Sequence, residues 1–435
     1  MSELLDSTSI IFWGIITFSI VVILHEGGHF AVARFFGVHV HEFMIGLPGP
    51  AVRFRSKSGT TFGVTAIPLG GYVRIAGMKR AEEDPLLAAA LSNVTANPGI
   101  TAERLAQILG IDEVRALTLL ETLEDWRAIA VTKGGDPVWL SYISAMDGSE
   151  NKTPEELLAK ARSQTYRGLT TGKRIAILSA GVLVNLFAGI ALLTFALSTW
   201  NDYEHSLTLA EVIPDSAAYE AGLRAGDTIT ALQGEELSDW EELSSTVGLK
   251  TPGDVILVDY LRDGAEGQTE ITLASSPEGD YLLGVWFEET PVDVTVIEAL
   301  TNSIISVGFV FIFGIAGVIF MIFGAFLNPE TFAASAEGLS GIVGMSVASE
   351  MAAEAGPQTY VMLVAILSLG IGAFNILPIP PLDGGRIVLE IIEKIAGRPL
   401  HKSFTMGVSI AGALLLFGLI GYLIYADIMR YFINT

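Results

Sequence analysis

The sequence predicts a polytopic α-helical membrane protein of about four spans, with a β element and two polar regions set between the spans. Two observations carry this. Of 435 residues, 51% are hydrophobic and 17% charged, where a soluble domain carries about 25% charged residues. The apolar residues are gathered into long runs, and Ile10 to Leu24 (IIFWGIITFSIVVIL) holds no charge at all, as a segment crossing a bilayer requires.

The first run passes without a breaker into HEGGHFAVARFFGV, so Ala31, Val32 and Phe35 lengthen the helix enough to span (1–38). The preceding MSELLDSTS has no basic residue and does not look like a cleaved signal peptide. Residues 39–80 alternate in hydropathy around the turn sequences KSGT and PLGG, the pattern of strands joined by turns. The half AIPLGGYVRIAGM is too apolar for a free hairpin and is expected to dip into the membrane face.

Residues 81–168 change character and read as a polar, mostly helical insertion. ITAERLAQILGIDEVRALTLLETLEDWRAIAV offers a Thr cap and two helical periods broken at Gly110. With KGGDPVWL as a wing, it resembles a winged-helix domain. Residues 85–165 hold 7 Lys/Arg against 11 Asp/Glu, so the basic footprint that DNA requires is missing. The net charge of −23 argues the same for the whole chain, and nucleic acid is not expected as a partner.

A second span, Ile175 to Leu197, occupies the region 169–200. Next comes a strongly acidic region, with 22 Asp/Glu against 3 Lys/Arg between Asn201 and Ser303. Its AEVIPDSAAYEAGLRAGDTITALQGEELSDWEEL and VILVDYLRDG resemble a bacterial PDZ domain (201–293) in the whole order of turn, strand and helix. Such domains bind extended peptides or chain ends by strand addition. Ile304 to Phe326, within 294–350, is apolar. Tyr360 to Leu382 is a span (351–400) ending in NILPIPPLDGGR. Val408 to Tyr425 is the last span (401–435).

His25, Glu26 and His29 fit H-E-x-x-H. Positions i and i+4 share a helix face, so both imidazoles reach one metal. Glu26 then stands beside them to take a proton from water whose pKa zinc lowers to about 7. Ionisable groups inside a span are costly and usually functional. The chain has no cysteine, so any zinc site uses His, Asp or Glu. A catalytic zinc usually takes three protein ligands, and Asp383 is the candidate third. It is embedded after an apolar run between Pro380, Pro381, Gly384 and Gly385, although a helix N-cap is its alternative role. His39, His41, His205 and His401 read as residues of polar loops.

HEGGH in the first span, the PDZ-like region and NILPIPPLDGG in a later span together resemble the site-2 protease family of intramembrane zinc metalloproteases. AIPLGGYVRIAGM, SAGVLVNLF (179–187) and LSGIVGM (339–345) are similar to further elements of that family in the right order. The subgroup resembled is the bacterial regulators of envelope stress with PDZ domains. The resemblance implies that His25, His29 and Asp383 bind Zn2+, that Glu26 is the general base, and that Asn375 and Asn185 help hold the substrate backbone. It implies transmembrane protein substrates such as an anti-sigma factor or signal-peptide remnants, with peptide ends at the PDZ domain. Three features depart from it: Gly27-Gly28 where Phe-Gly is usual, Val182 where Pro is usual, and the insertion. The competing readings are a catalytically inactive PDZ membrane scaffold with a structural zinc site, and a zinc transporter.

Orientation follows from charge and chemistry. Arg53, Arg55, Lys57, Arg162, Arg167, Lys173 and Arg174 flank the membrane between the first two spans, so this loop is expected in the cytoplasm. The PDZ domain and both termini are then extracytoplasmic in a multi-pass cell-membrane protein. For Asp383 to meet the histidines, its span runs parallel to the first. Ile304–Phe326 therefore lies along or re-enters the membrane, or else returns with residues 336–350.

Overall fold

A computed structural model describes residues 2–67, 70–78, 84–132, 138–141, 153–200, 202–251, 253–273, 283–292, 294–317 and 340–433. The chain forms two compact units, Leu197–Ala299 and the remainder on either side of it.

The larger unit opens with α1 (Ser2–Phe35), which carries the HEGGH residues in its second half. Strands β1 (Val40–Ile45), β2 (Ala51–Arg55), β3 (Thr61–Thr65) and β4 (Gly71–Ile75) follow as one sheet in the order β2-β3-β1-β4. The β1–β3 pair is parallel and the β1–β4 and β2–β3 pairs are antiparallel, leaving β2 and β4 at the edges. Leu47, Val52, Phe54, Val64 and Ile67 of this element are exposed; of these only Ile67 belongs to AIPLGGYVRIAGM, where Ile75 and Ala76 are buried.

The insertion folds around its own core of Leu91, Leu105, Leu119, Leu120, Leu123 and Trp126. Its helices are α2 (Leu87–Ala96), α3 (Ala102–Leu109), α4 (Glu113–Asp125) and α5 (Pro154–Ser163), with a hairpin of β5 (Ile129–Val131) and β6 (Trp139–Ser141). Ile100 adds a bridge to Trp139, so a third short extended segment joins the hairpin. The local stops are written in the sequence. Thr101 caps α3, Gly110 ends it at φ 66°, and Asp112 caps α4. Residues 133–137 of the expected wing lie outside the described residues.

The second long helix, α6, covers Thr171–Thr199. The smaller unit is a sheet in the order β11-β10-β8-β7-β12, with β9 (Glu235–Glu236) on β8. Its main strands are β7 (Asp202–Val212), β8 (Thr228–Leu232), β10 (Val255–Arg262), β11 (Ala265–Thr272) and β12 (Val285–Val292). Two helices, α7 (Ala217–Glu220) and α8 (Trp240–Gly248), accompany it over a core including Leu209, Ile229, Ile256, Val258 and Ile271. Buried Asp227 is gripped by Arg262 through two contacts of 2.6 Å.

The chain then forms α9 (Val296–Phe309, continued by a π turn at Val310–Gly314), α10 (Ile342–Ala355), α11 (Pro357–Asn375), α12 (Asp383–Ala396) and α13 (Lys402–Ile428). Five described helices are long and apolar enough to cross a membrane: Thr8–Phe35, Thr171–Thr199, Val296–Gly317, Pro357–Asn375 and Ser403–Tyr431. This is one more than the four or so expected, because Val296–Gly317 meets the same criterion of length and composition. Residues 318–326 of that run, and 336–339 of the segment weighed as its return, lie outside the described residues, as does Leu339 of LSGIVGM. Residues 342–355 form the short α10. Gly341 at its N-cap offers no side chain, and the fully buried carboxylate of Asp427 on α13 accepts the Gly344 N–H at 2.8 Å instead.

Candidate metal centre

Three elements remote in sequence meet at one point. On α1, the i, i+4 spacing puts His25 and His29 on one face, and both are buried. Asp383 arrives from the first turn of α12. Its N-cap is Leu382, so Asp383 is not the cap of its own helix. Gly384 and Gly385 let that turn lie directly on the backbone of Ile376 to Pro380, where any Cβ would collide.

The donor atoms converge. Asp383 Oδ2 lies 3.1 Å from His25 Nε2 and 3.0 Å from His29 Nε2, and the two Nε2 atoms are 3.3 Å apart. A tetrahedral zinc with bonds of about 2.0–2.1 Å sets its ligand atoms about 3.3 Å apart, so the triangle has the right size for such an ion. Among the described residues this is the one group of three His, Cys, Asp or Glu side chains within 4.8 Å.

The far side of each ring fits the same purpose. His29 Nδ1 sits 2.7 Å from the Ile177 carbonyl oxygen. A carbonyl only accepts, so Nδ1 bears the proton and the Nε2 lone pair points into the triangle. Asn185 is fully buried, with its Nδ2 placed 3.4 Å from His25 Nδ1 and its Oδ1 without a hydrogen bond among the described residues. The amide orientation is interchangeable by shape. Turning it over puts the orphan oxygen on His25 Nδ1–H and leaves that Nε2 free to coordinate as well. Ile177 and Asn185 both belong to α6, and between them Gly181 lies against both rings. A Cβ at Gly181 would fall on His29 Nε2 and within 2.8 Å of His25 Cε1.

Glu26 is half-buried beside the triangle. It faces the start of β4, where a Cβ at Gly71 would meet Val22 at 2.5 Å and the Glu26 Cγ at 3.4 Å. The acid thus stands between the metal group and the first residue of β4, an edge strand among the described residues.

The other candidates are placed differently. Asn375 ends α11, half-buried, and its amide donates to Ile371 O at 3.0 Å. Of the four histidines expected in loops, His41 and His205 lie in strands, while His39 and His401 stand outside strand and helix. His39 is buried just before β1, His41 lies in β1, His205 lies in β7, and His401 caps α13. None joins the triangle. Ile177 and Gly181 were not legible in advance, since one acts through its backbone and the other through having no side chain.

The chain is similar to known proteins along nearly its whole length. The chain is 28% identical over 442 residues to the probable protease eep of Enterococcus faecalis, covering 96% of this chain and 98% of that protein. It is 27% identical over 435 residues to the zinc metalloprotease RasP of Geobacillus kaustophilus, covering 96% and 97%. It is 30% identical over 437 residues to a putative zinc metalloprotease of Streptococcus pyogenes serotype M3, covering 96% and 98%. A solved PDZ domain of an SdrC-like protein from Listeria monocytogenes, 24% identical, covers 20% of this chain and 90% of its own, with a TM-score of 0.18. The model of peptidase family M50 matches residues 13–419. On that match and on these near full-length relatives, the chain belongs to peptidase family M50.

Proposed function

We propose that this protein is a multi-pass intramembrane zinc metalloprotease that hydrolyses peptide bonds in or near the transmembrane segments of other membrane proteins. The observation that carries the reading is the 3.0–3.3 Å triangle of His25, His29 and Asp383 with Glu26 beside it. The names of the relatives, zinc metalloproteases among them, support it. An acid beside the metal group favours hydrolysis over a structural zinc in an inactive scaffold, and one compact group among the described residues does not make the path a transporter needs.

In this reading His25, His29 and Asp383 hold Zn2+, which supplies Lewis acidity toward water and the scissile carbonyl. Glu26 takes the proton of the attacking water and passes it to the leaving amine nitrogen. A substrate helix must first unwind, and β4, an edge strand among the described residues that begins near Glu26, offers backbone partners to an extended segment. Asn375 is assigned to the substrate backbone. The family resemblance gives Asn185 a share in that task, but its amide turned to His25 supports a role in orienting the ligand.

The finer organisation is part of the same proposal. Residues 201–293 are a PDZ domain that receives peptide ends, and 81–168 form a winged-helix-type insertion whose acidic balance speaks against DNA as its partner. The first loop is cytoplasmic, while the termini and the PDZ domain are extracytoplasmic in the cell membrane. This orientation requires that Val296–Gly317 not cross alone.

The test is cleavage of a single-span substrate in liposomes. Glu26→Gln is expected to retain zinc and lose activity by about 100- to 10,000-fold, and a chelator to abolish activity in the wild type. Cleavage that survives both changes would refute the zinc-protease reading.

A further inference from the structure

The groups that hold the two metal-site histidines fall on one stripe of α6. The Ile177 carbonyl takes His29 Nδ1–H, Gly181 makes room for both imidazoles, and Asn185 meets His25. These positions are spaced i, i+4 and i+8, the repeat of a single helix face. Three residues before Ile177, in the first turn of α6 and on the same stripe, stands Arg174.

Arg174 reaches the helix of the third ligand. Its Nη1 lies 3.0 Å from Glu390 Oε2. Glu390 follows Asp383 by seven residues, two turns along α12 on nearly the same face. It is 3% exposed, and Glu393 one turn further is 9% exposed. Two carboxylates withdrawn from water need partners to be tolerated. Arg167 Nη1 lies 3.3 Å from both Glu390 Oε1 and Glu393 Oε2, the Tyr166 hydroxyl donates to Glu390 Oε1 at 3.3 Å, and the Leu400 N–H donates to Glu393 Oε1 at 3.1 Å. None of these groups takes part in the hydrolysis described above.

We propose that Arg174 and Glu390 are positioning residues for Asp383: their ion pair fixes α12 against the same face of α6 that orients His25 and His29, so that one helix serves as the template for all three metal ligands. The proposal rests on the reading of Asp383 as a zinc ligand. Its physical basis is rigidity. Gly384 and Gly385 already press the first turn of α12 onto Ile376 to Pro380, and the ion pair two turns on removes the remaining freedom of the helix to slide or roll. Arg167 and Tyr166, in the turn that joins the insertion to α6, hold the second carboxylate oxygen of Glu390.

The experiment measures zinc retention against a competing chelator in full-length protein in detergent. All variants carry Glu26→Gln, so that metal binding is read without turnover, and Asp383→Ala serves as reference. Arg174→Met and Glu390→Gln are expected to release zinc about 10- to 100-fold more readily, the usual effect of removing a group that orients a ligand. Arg174→Lys, which keeps the charge, is expected to recover most of that loss. Folding is followed in parallel by size exclusion, and Arg174→Lys and Glu390→Gln decide the outcome if Arg174→Met does not fold. Zinc held as tightly as in the parent by all variants except Asp383→Ala would overturn the positioning role. Zinc held equally tightly by Asp383→Ala would instead remove the ligand assignment, and this proposal with it.

Discussion

The two glycines inside the HEGGH motif are not equivalent. A Cβ at Gly27 would meet nothing within 4 Å, whereas one at Gly28 would stand 2.5 Å from the Ala180 carbonyl oxygen, where α1 crosses α6. The first of the pair therefore has room for the larger side chain usual in the resembled pattern and the second does not, while nothing in the structure explains the glycine at 27. Gly27→Ala is therefore expected to keep zinc and activity, while Gly28→Ala loses both because α1 must back away from α6. Gly181 makes the same point from the opposing helix. Gly181→Val is expected to lose zinc, as measured by metal content, with Gly172→Ala in the open first turn of α6 as the neutral control. Wild-type zinc content in Gly181→Val would show that the rings do not need that space. At this scale the candidate ligands were legible because chemistry and spacing mark them. Their supports were not, since a backbone carbonyl such as that of Ile177 leaves no trace in the sequence.

Among elements, the joint between the insertion and the first sheet is held by polar contacts that no local pattern announces. The Gly77 N–H donates to Asp125 Oδ2 at 2.7 Å, His41 Nε2 contacts the Asp125 carbonyl oxygen at 2.9 Å, and Arg127 donates to His39 Nδ1 at 2.9 Å. The helices of the insertion could be read from Thr101, Gly110 and Asp112, because caps are local. The burial of His39 could not, because its partner lies 88 residues away. Burial and the adjacent Arg127 guanidinium push the His39 imidazole down to about 3. The folded joint therefore holds His39 neutral, while the unfolded chain takes up a proton below about pH 6.5. Stability from this group is fully present above that value and is lost as pH falls toward the folded value, with a slope approaching about 1.4 kcal/mol per pH unit. Burial raises the Asp125 carboxyl, but the hydrogen bonds from His41 and the Gly77 N–H more than offset this and hold it below its ordinary range. Its own loss of stability therefore begins only as pH falls below about 4. Between pH 7.5 and 5.5 the wild type is expected to lose more thermal stability than His39→Gln, whose amide oxygen still accepts from Arg127. Equal losses would show that His39 does not titrate in this way.

At the scale of the whole molecule, the acidic composition of residues 201–303 and the apolar runs around it announced a separate unit, and the chain does divide at Leu197 and Ala299. What composition did not announce is how that unit closes on itself. Its first and last strands pair antiparallel, with Asp202 opposite Val292 and Tyr203 opposite Pro291, so its two ends are a strand spacing apart, about 5 Å. The chain leaves and re-enters through neighbouring strands, and the unit has its own core around Leu209, Ile229 and Ile271. Such a unit can be removed without pulling apart what it interrupts, because a short flexible linker bridges the gap at little entropic cost. Replacing residues 202–292 with a few Gly and Ser residues is therefore expected to leave zinc content unchanged. Cleavage of a minimal single-span substrate should persist as well, since His25, Glu26, His29, Asp383 and the α6 face that orients them all lie in the other unit. If the excised domain filters substrates by binding their ends, the shortened protein should also cut substrates that the full chain spares, read as new bands when a panel with differing extracytoplasmic lengths is digested. An unchanged cleavage pattern with unchanged zinc would separate the domain from substrate selection. Loss of zinc on excision would instead mean that the membrane unit relies on it to assemble, against the division into two self-contained cores.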